Sequence, residues 1–122
     1  MNALLWTLSI VLAAIYVITG CSKLVASRER LLAVPGMGWV EATPMSRVRT
    51  IGLLEIAGAI GLVVPWATGI LPLLTSLAAW GLAATQVGAM WTHINRGERE
   101  HLWLNVLLLV AAVVVAIGRA FA

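Results

Sequence analysis

Glu55 is the one ionisable side chain in a long apolar stretch that runs from Thr50 to Thr68. At ~1.5 Å per residue, a helix over this stretch reaches across the ~30 Å hydrocarbon layer of a bilayer. A carboxylate at the centre of such a helix costs roughly 2.5–3.5 kcal/mol on insertion scales, and less near its end. Such a residue therefore normally faces the interior of a helix bundle and finds a polar partner. By default it marks a functional site.

Other polar side chains fall at a similar depth in the remaining apolar segments. Lys23 closes the first segment, Gln86 lies near the end of the third, and Asn105 lies near the start of the fourth. His93 follows Gln86 by two helical turns and shares its face. If successive helices alternate in direction, these groups meet at one end of the bundle. We therefore expect a polar cluster around Glu55, with Lys23 as its counter-charge and His93 at its mouth.

Three kinds of chemistry suit this cluster. The groups can act structurally, as interhelical hydrogen bonds of roughly 0.6–2 kcal/mol each. They can hold the polar headgroup of a lipid or quinone. Alternatively, Glu55 can act as a general acid on a lipophilic, isoprenoid-like substrate, with Asn105 or Gln86 orienting it. In that case three tryptophans are candidates to line a cavity and stabilise a carbocation by cation–π attraction: Trp80, Trp91 and Trp103.

Metal and thiol chemistry find little support in the sequence. His93 and His101 lie on one polar loop, with no ligand pair facing across two helices. Cys21 is the single cysteine, which rules out an intrachain disulfide and a thiolate cluster. We therefore expect no metal site, and no cofactor is evident, although a quinone fits a membrane setting.

Composition indicates an integral membrane protein. Of 122 residues, 61% are hydrophobic and 11% charged, against about 25% charged in a soluble domain. Mean hydropathy is +1.00. The apolar segments predict an all-α bundle of four transmembrane helices, forming a single domain over residues 1–122. The expected helices cover about residues 3–22, 44–66, 70–91 and 102–119.

Loop charge predicts the orientation of this bundle. The first and third connections together contain seven basic residues, whereas the opposite side contains only Arg119. By the positive-inside rule, these two connections are cytoplasmic and both termini lie outside. The basic residues do not alternate with aromatic ones, so we expect no binding to nucleic acid. Two small-residue pairs are expected at helix contacts: Ala57 with Gly61, and Ala84 with Gly88.

The order and spacing of several motifs resemble the DoxX-like family of small bacterial membrane proteins over nearly the whole chain. These motifs are Gly20-x-x-Lys23-Leu24, Pro35-Gly-Met-Gly, Ile51-Gly-Leu-Leu-Glu55 through Pro65, Leu71-Pro72, Gly88 through Glu98, Asn105, and Gly118-Arg119.

The resemblance implies a four-helix membrane bundle in the bacterial inner membrane. The recurrent polar positions of the family map onto Lys23, Glu55, His93, Glu98, Asn105 and Arg119. The family's namesake resembles a subunit of a thiosulfate:quinone oxidoreductase, and relatives are linked to redox and oxidative-stress complexes. The sequence itself contains no cysteine pair for thiosulfate chemistry.

Two functional hypotheses follow. The first is a membrane subunit that binds lipid or quinone, or anchors a redox partner protein. The second is a small membrane enzyme, such as a terpene cyclase, that uses Glu55 as its acid. Because the chain is short, a homo-oligomer with its site between protomers fits either hypothesis. A proton conduit is disfavoured, since the half of the bundle opposite Glu55 is almost entirely apolar.

Overall fold

Four long helices make up most of the chain, and a computed structural model describes residues 1–121. The elements in order are α1 (Asn2–Val25), α2 (Arg28–Leu32), a 3₁₀ helix (Gly38–Ala42), α3 (Met45–Thr68), α4 (Leu73–Asn95) and α5 (Leu102–Ala120). The described residues include no strand. Each of α1, α3, α4 and α5 is long and apolar enough to cross a membrane. The predicted all-α architecture with four spanning helices is confirmed.

The helix ends differ from the expected bounds by a few residues. α1 and α4 continue to Val25 and Asn95, and α3 continues through Pro65 to Thr68. Pro65 lies in the last turn of α3, where the loss of one backbone hydrogen bond does not break the helix. The helix ends instead at Gly69, whose φ of +72° is a conformation that glycine adopts easily.

The helices pack in a ring, with α1 against α3, α3 against α4, α4 against α5, and α5 back against α1. Their shared core consists of aliphatic side chains and Tyr16: Leu12, Tyr16, Ala59, Leu62, Ala79, Leu82, Ala83, Ala112, Val115 and Ala116. Many large apolar side chains face outward instead, among them Leu53, Leu77 and Leu107. Such a surface suits a lipid environment, where no water has to be excluded.

The connections 26–44 and 96–101 meet at one end, which we call the basic end. A Cβ on Gly38 would lie 3.1 Å from the Arg96 guanidinium and 3.1 Å from the Glu98 carboxylate. The first connection shares a small core with the start of α3, made of Leu31, Val40 and Val48. The opposite end holds the start of α1, the turn 69–72 and the end of α5.

α1 and α3 make their closest approach at two glycines. A Cβ on Gly52 would lie 2.7 Å from the Gly20 carbonyl oxygen, and one on Gly20 would lie 2.8 Å from the Gly52 oxygen. No larger side chain fits there without separating the helices. Neither glycine belongs to the small-residue pairs expected from the sequence.

The predicted small-residue contacts are mostly wrong. Gly61 does face α4, where its Cβ would lie 2.7 Å from Ala78. Ala57, Ala84 and Gly88 are exposed, however, and a Cβ on Gly88 would meet nothing within 4 Å. Because small residues occur on several faces of these helices, spacing alone does not select the face that turns inward.

Candidate functional site

Lys23 and Glu55 form an ion pair between α1 and α3 near the basic end. The Lys23 ammonium nitrogen lies 2.5 Å from Oε1 of Glu55. Both residues are buried, with 8% and 6% of their surfaces exposed. Each follows its contact glycine, Gly20 or Gly52, by three residues and therefore lies about one turn away. The close approach of the two backbones positions the pair.

The second oxygen of Glu55 also has a donor. Thr19 donates its hydroxyl to Oε2 at 2.6 Å. At the end of α1, Arg49 of α3 donates to the carbonyl oxygens of Lys23 and Ala26, at 2.8 and 2.7 Å. These carbonyls are among those that a helix end leaves without a partner. The basic end of α1 is therefore bound to α3 through both side-chain and main-chain groups.

A second hydrogen-bonded group joins α1, α4 and α5. Gln86 donates its amide nitrogen to the Tyr16 hydroxyl at 2.6 Å. Asn105 donates its amide nitrogen to the Gln86 carbonyl oxygen at 2.8 Å. Gln86 therefore bonds both Tyr16 and Asn105, and neither Gln86 nor Asn105 bonds Glu55, contrary to the expectation from the sequence. Tyr16 and Thr19 are one turn apart on α1, so the two groups adjoin.

We call these six side chains the basic-end network: Tyr16, Thr19, Lys23, Glu55, Gln86 and Asn105. Sequence reasoning missed Tyr16 and Thr19. Together with Lys23 they follow at intervals of three and four residues, which is the spacing of one helix face, and this signal was available. Asn105, like Thr19, is half-buried rather than enclosed, and its second N–H has no acceptor among the described residues.

His93 lies outside this network. Its Nδ1 is 3.3 Å from Oε1 of Glu98, which Arg96 also contacts at 3.1 Å. A small cavity of about 30 Å³ lies beside this group and is lined by Gly36, His93, Glu98, Glu100, His101 and Leu102. Within residues 1–121, no three metal-ligating side chains are placed to hold an ion. His93 contributes to a surface contact between the two basic connections.

The three tryptophans expected to line a cavity face outward. Trp80, Trp91 and Trp103 are 46%, 70% and 61% exposed. None of them lines the cavity beside His93 or a second cavity beside Arg119. On the outside of a membrane bundle, a tryptophan ring suits lipid and the headgroup layer.

Arg119 is the functional candidate that the residue-by-residue reasoning passed over. Its side chain is 2% exposed at the end opposite the basic end. The guanidinium carbon lies 4.2 Å from the centroid of the Trp66 ring and 5.3 Å from that of Trp6. Its Nη1 donates to the Asn2 side-chain oxygen at 2.8 Å. Such a buried cation in an apolar setting could have been identified by the same argument that singled out Glu55.

The model of the DoxX-like family matches residues 7–115, which include α3 and α4 in full, most of α1 and α5, and the whole basic-end network. Searches of curated proteins and of solved structures gave no match. The match covers most of the chain, so this protein belongs to the DoxX-like family and is a multi-pass membrane protein.

Proposed function

As a member of the DoxX-like family with the network above, this protein is, we propose, a non-catalytic inner-membrane subunit that binds the headgroup of a lipid or quinone at Asn105. The observation that carries the proposal is the difference between the two polar groups. Glu55 has a donor on each carboxylate oxygen. Asn105 is half-buried at the edge of the bundle and uses one N–H for Gln86.

The chain of bonds from Tyr16 to Asn105 gives the proposed contact a fixed orientation. The Gln86 amide is held at both of its ends, since its nitrogen bonds Tyr16 and its oxygen bonds Asn105. Asn105 therefore presents its remaining N–H and its carbonyl oxygen in a defined direction. A quinone carbonyl or a lipid ester oxygen accepts such a hydrogen bond.

Apolar side chains of α5 near Asn105 form a surface on which the tail of a lipid or quinone could lie. Half-buried Leu108 and Leu109 lie one turn further along α5 from Asn105. Exposed Leu104 and Val106 flank Asn105 in sequence. A ligand with a polar head and an apolar tail matches this arrangement, with the head near the basic end and the tail toward the middle of the membrane.

The acid-catalysed alternative has less support. A general acid must hold a proton within reach of its substrate. The Glu55 carboxylate instead lies 2.5 Å from an ammonium group and 2.6 Å from a hydroxyl. Glu55 lines neither the cavity beside His93 nor the one beside Arg119, and the candidate tryptophans face outward. These features suit a structural ion pair better than a catalytic acid.

Photolabelling in reconstituted vesicles tests the proposal. A photoreactive quinone and a photoreactive phosphatidylglycerol are used as probes. Labelling of α5 is expected with at least one of them. Asn105→Leu should weaken it about 2- to 10-fold, the effect of one lost hydrogen bond. Gln86→Leu should act in the same direction, because it leaves Asn105 without its positioning partner.

Thr50→Val is the matched control. Thr50 is an exposed polar residue near the basic end of α3, and its hydroxyl bonds only the Ser46 carbonyl of its own helix. Its removal should leave labelling unchanged. Equal labelling of the wild type and Asn105→Leu would contradict the headgroup site. If a protein also co-purified at fixed stoichiometry in mild detergent, that result would favour the redox-partner anchor instead.

A further inference from the structure

Arg119 has more hydrogen-bonding capacity than its surroundings use. The side chain is 2% exposed. Its Nη1 donates to Asn2, but Nε and Nη2 have no acceptor among residues 1–121. Leaving a buried donor without a partner is costly, and more so for a charged group. Residues 1–121 therefore leave part of this guanidinium unsatisfied.

Its charge is also uncompensated within the described residues. None of the ion pairs they form includes Arg119. All five acidic residues of the chain are glutamates, and they belong to the basic connections or to the Lys23 pair. Trp6 and Trp66 offer their ring faces, which attract a cation without neutralising it. None of the described residues around Arg119 therefore supplies a counter-anion.

A surface cavity adjoins this cation. It has a volume of about 380 Å³ and is lined by Met1, Asn2, Leu5, Ile117, Gly118, Arg119 and Phe121. Volumes of about 300–1,000 Å³ are typical of small-molecule sites. Apart from Arg119 and Asn2, the lining side chains are apolar. The cavity thus combines the Arg119 guanidinium with side chains suited to hydrocarbon.

We propose that Arg119, held between Trp6 and Trp66, binds a phosphate group at this end of the bundle. The guanidinium fork matches phosphate oxygens in geometry and charge. The apolar walls suit the glycerol and the first acyl carbons of a phospholipid, and a free phosphate offers the same oxygens without the tail. The site lies at the end opposite Asn105 and does not depend on the headgroup site proposed there.

Calorimetric titration of the whole protein in detergent tests this site. The probes are dihexanoyl phosphatidylglycerol, inorganic phosphate, and dihexanoylglycerol, which has the same acyl chains without the phosphate. Phosphatidylglycerol should bind at least about tenfold more tightly than dihexanoylglycerol, as expected for a charge-assisted contact. Inorganic phosphate binding as tightly as phosphatidylglycerol would identify a free anion as the source. Weaker phosphate binding would identify the lipid.

Arg119→Gln should weaken phosphatidylglycerol binding about 10- to 100-fold. Arg47→Gln is the matched control, because Arg47 is exposed at the basic end. This variant should bind phosphatidylglycerol as tightly as the wild type does. Should Arg119→Gln fail to fold, Ile117→Trp tests the same cavity with Arg119 intact. Ile117 is 47% exposed, so the larger ring is tolerated while it fills the cavity. Unchanged phosphatidylglycerol binding in Ile117→Trp, or equal affinity for dihexanoylglycerol in the wild type, would overturn the proposal.

Discussion

Each oxygen of the Glu55 carboxylate has its own donor, and this is the most consequential contact at the scale of single residues. Lys23 and Thr19 both reach it from α1. Desolvation of two charges is expensive, and good geometry with further hydrogen bonds is needed to offset it. The arrangement around Glu55 meets that condition. The pair fixes which faces of α1 and α3 meet.

Removing one partner of the pair should be more damaging than removing both. Lys23→Met leaves a buried carboxylate without its counter-charge, and we expect a loss of about 3–5 kcal/mol in the free energy of unfolding. The double variant Lys23→Met, Glu55→Met should recover part of that loss. Unfolding in mixed micelles of increasing SDS content measures both. A double variant no more stable than Lys23→Met would contradict a buried ion pair.

Single residues also show where sequence reasoning succeeds and fails. Glu55 and Lys23 could be identified because a charge in a long apolar segment stands out. The partners of Gln86 and Asn105 could not be predicted, because similar depth in the membrane does not determine which helices are neighbours. Tyr16 was not predicted as a site residue, because a tyrosine in an apolar helix is typical of the packed core and its sequence position does not show what the hydroxyl bonds. Only the packed bundle brings that hydroxyl to Gln86.

At the scale of the elements, the contact between Gly20 and Gly52 determines how closely α1 and α3 pack. Each glycine would place a Cβ within 2.8 Å of the other's carbonyl oxygen, and backbone cannot move aside as a side chain can. Lys23 and Glu55 flank this contact, since a Cβ on Gly52 would lie 2.9 Å from the Lys23 Cβ and one on Gly20 would lie 3.3 Å from the Glu55 Cβ. The glycine contact and the ion pair should therefore be lost together.

Gly52→Ala is expected to destabilise the protein by about 1–3 kcal/mol, the usual cost of overpacking. Gly88→Ala is the matched control, since a Cβ there would meet nothing within 4 Å. It should be neutral or slightly stabilising because alanine favours the helix. Unfolding in mixed micelles compares the two. Similar effects of both substitutions would contradict the close approach of α1 and α3.

The elements themselves were largely predictable, and their inward faces were not. Apolar segments interrupted by Pro35, Gly69 or Gly97 predict four helices with errors of a few residues at their ends. In a soluble helix, polarity would mark the exposed face. Here both the lipid-facing and the core-facing sides are apolar, so the spacing of small residues selected Gly88, which faces outward, and did not select Gly52.

For the molecule as a whole, charge divides the bundle into two unlike ends. One end carries seven basic residues in and beside the two connections, and the other carries Arg119 alone. Both connections meet at the same end of the structure, as the contact of Gly38 with Arg96 and Glu98 requires. The unequal distribution of basic residues along the sequence is thus also an unequal distribution between the two ends of the folded bundle. The positive-inside rule can therefore be applied to the whole basic end.

We therefore predict that the basic end faces the cytoplasm and that both termini lie outside. In a Cys21→Ser background, Arg99→Cys and Thr68→Cys place single thiols on exposed positions at opposite ends. A membrane-impermeant maleimide added to intact spheroplasts should label Thr68→Cys at once. Arg99→Cys should react only after the membrane is opened, which also controls for its reactivity. The reverse pattern would place Asn105 in the outer leaflet and Arg119 in the inner one, and would exchange the lipids available to the two proposed sites.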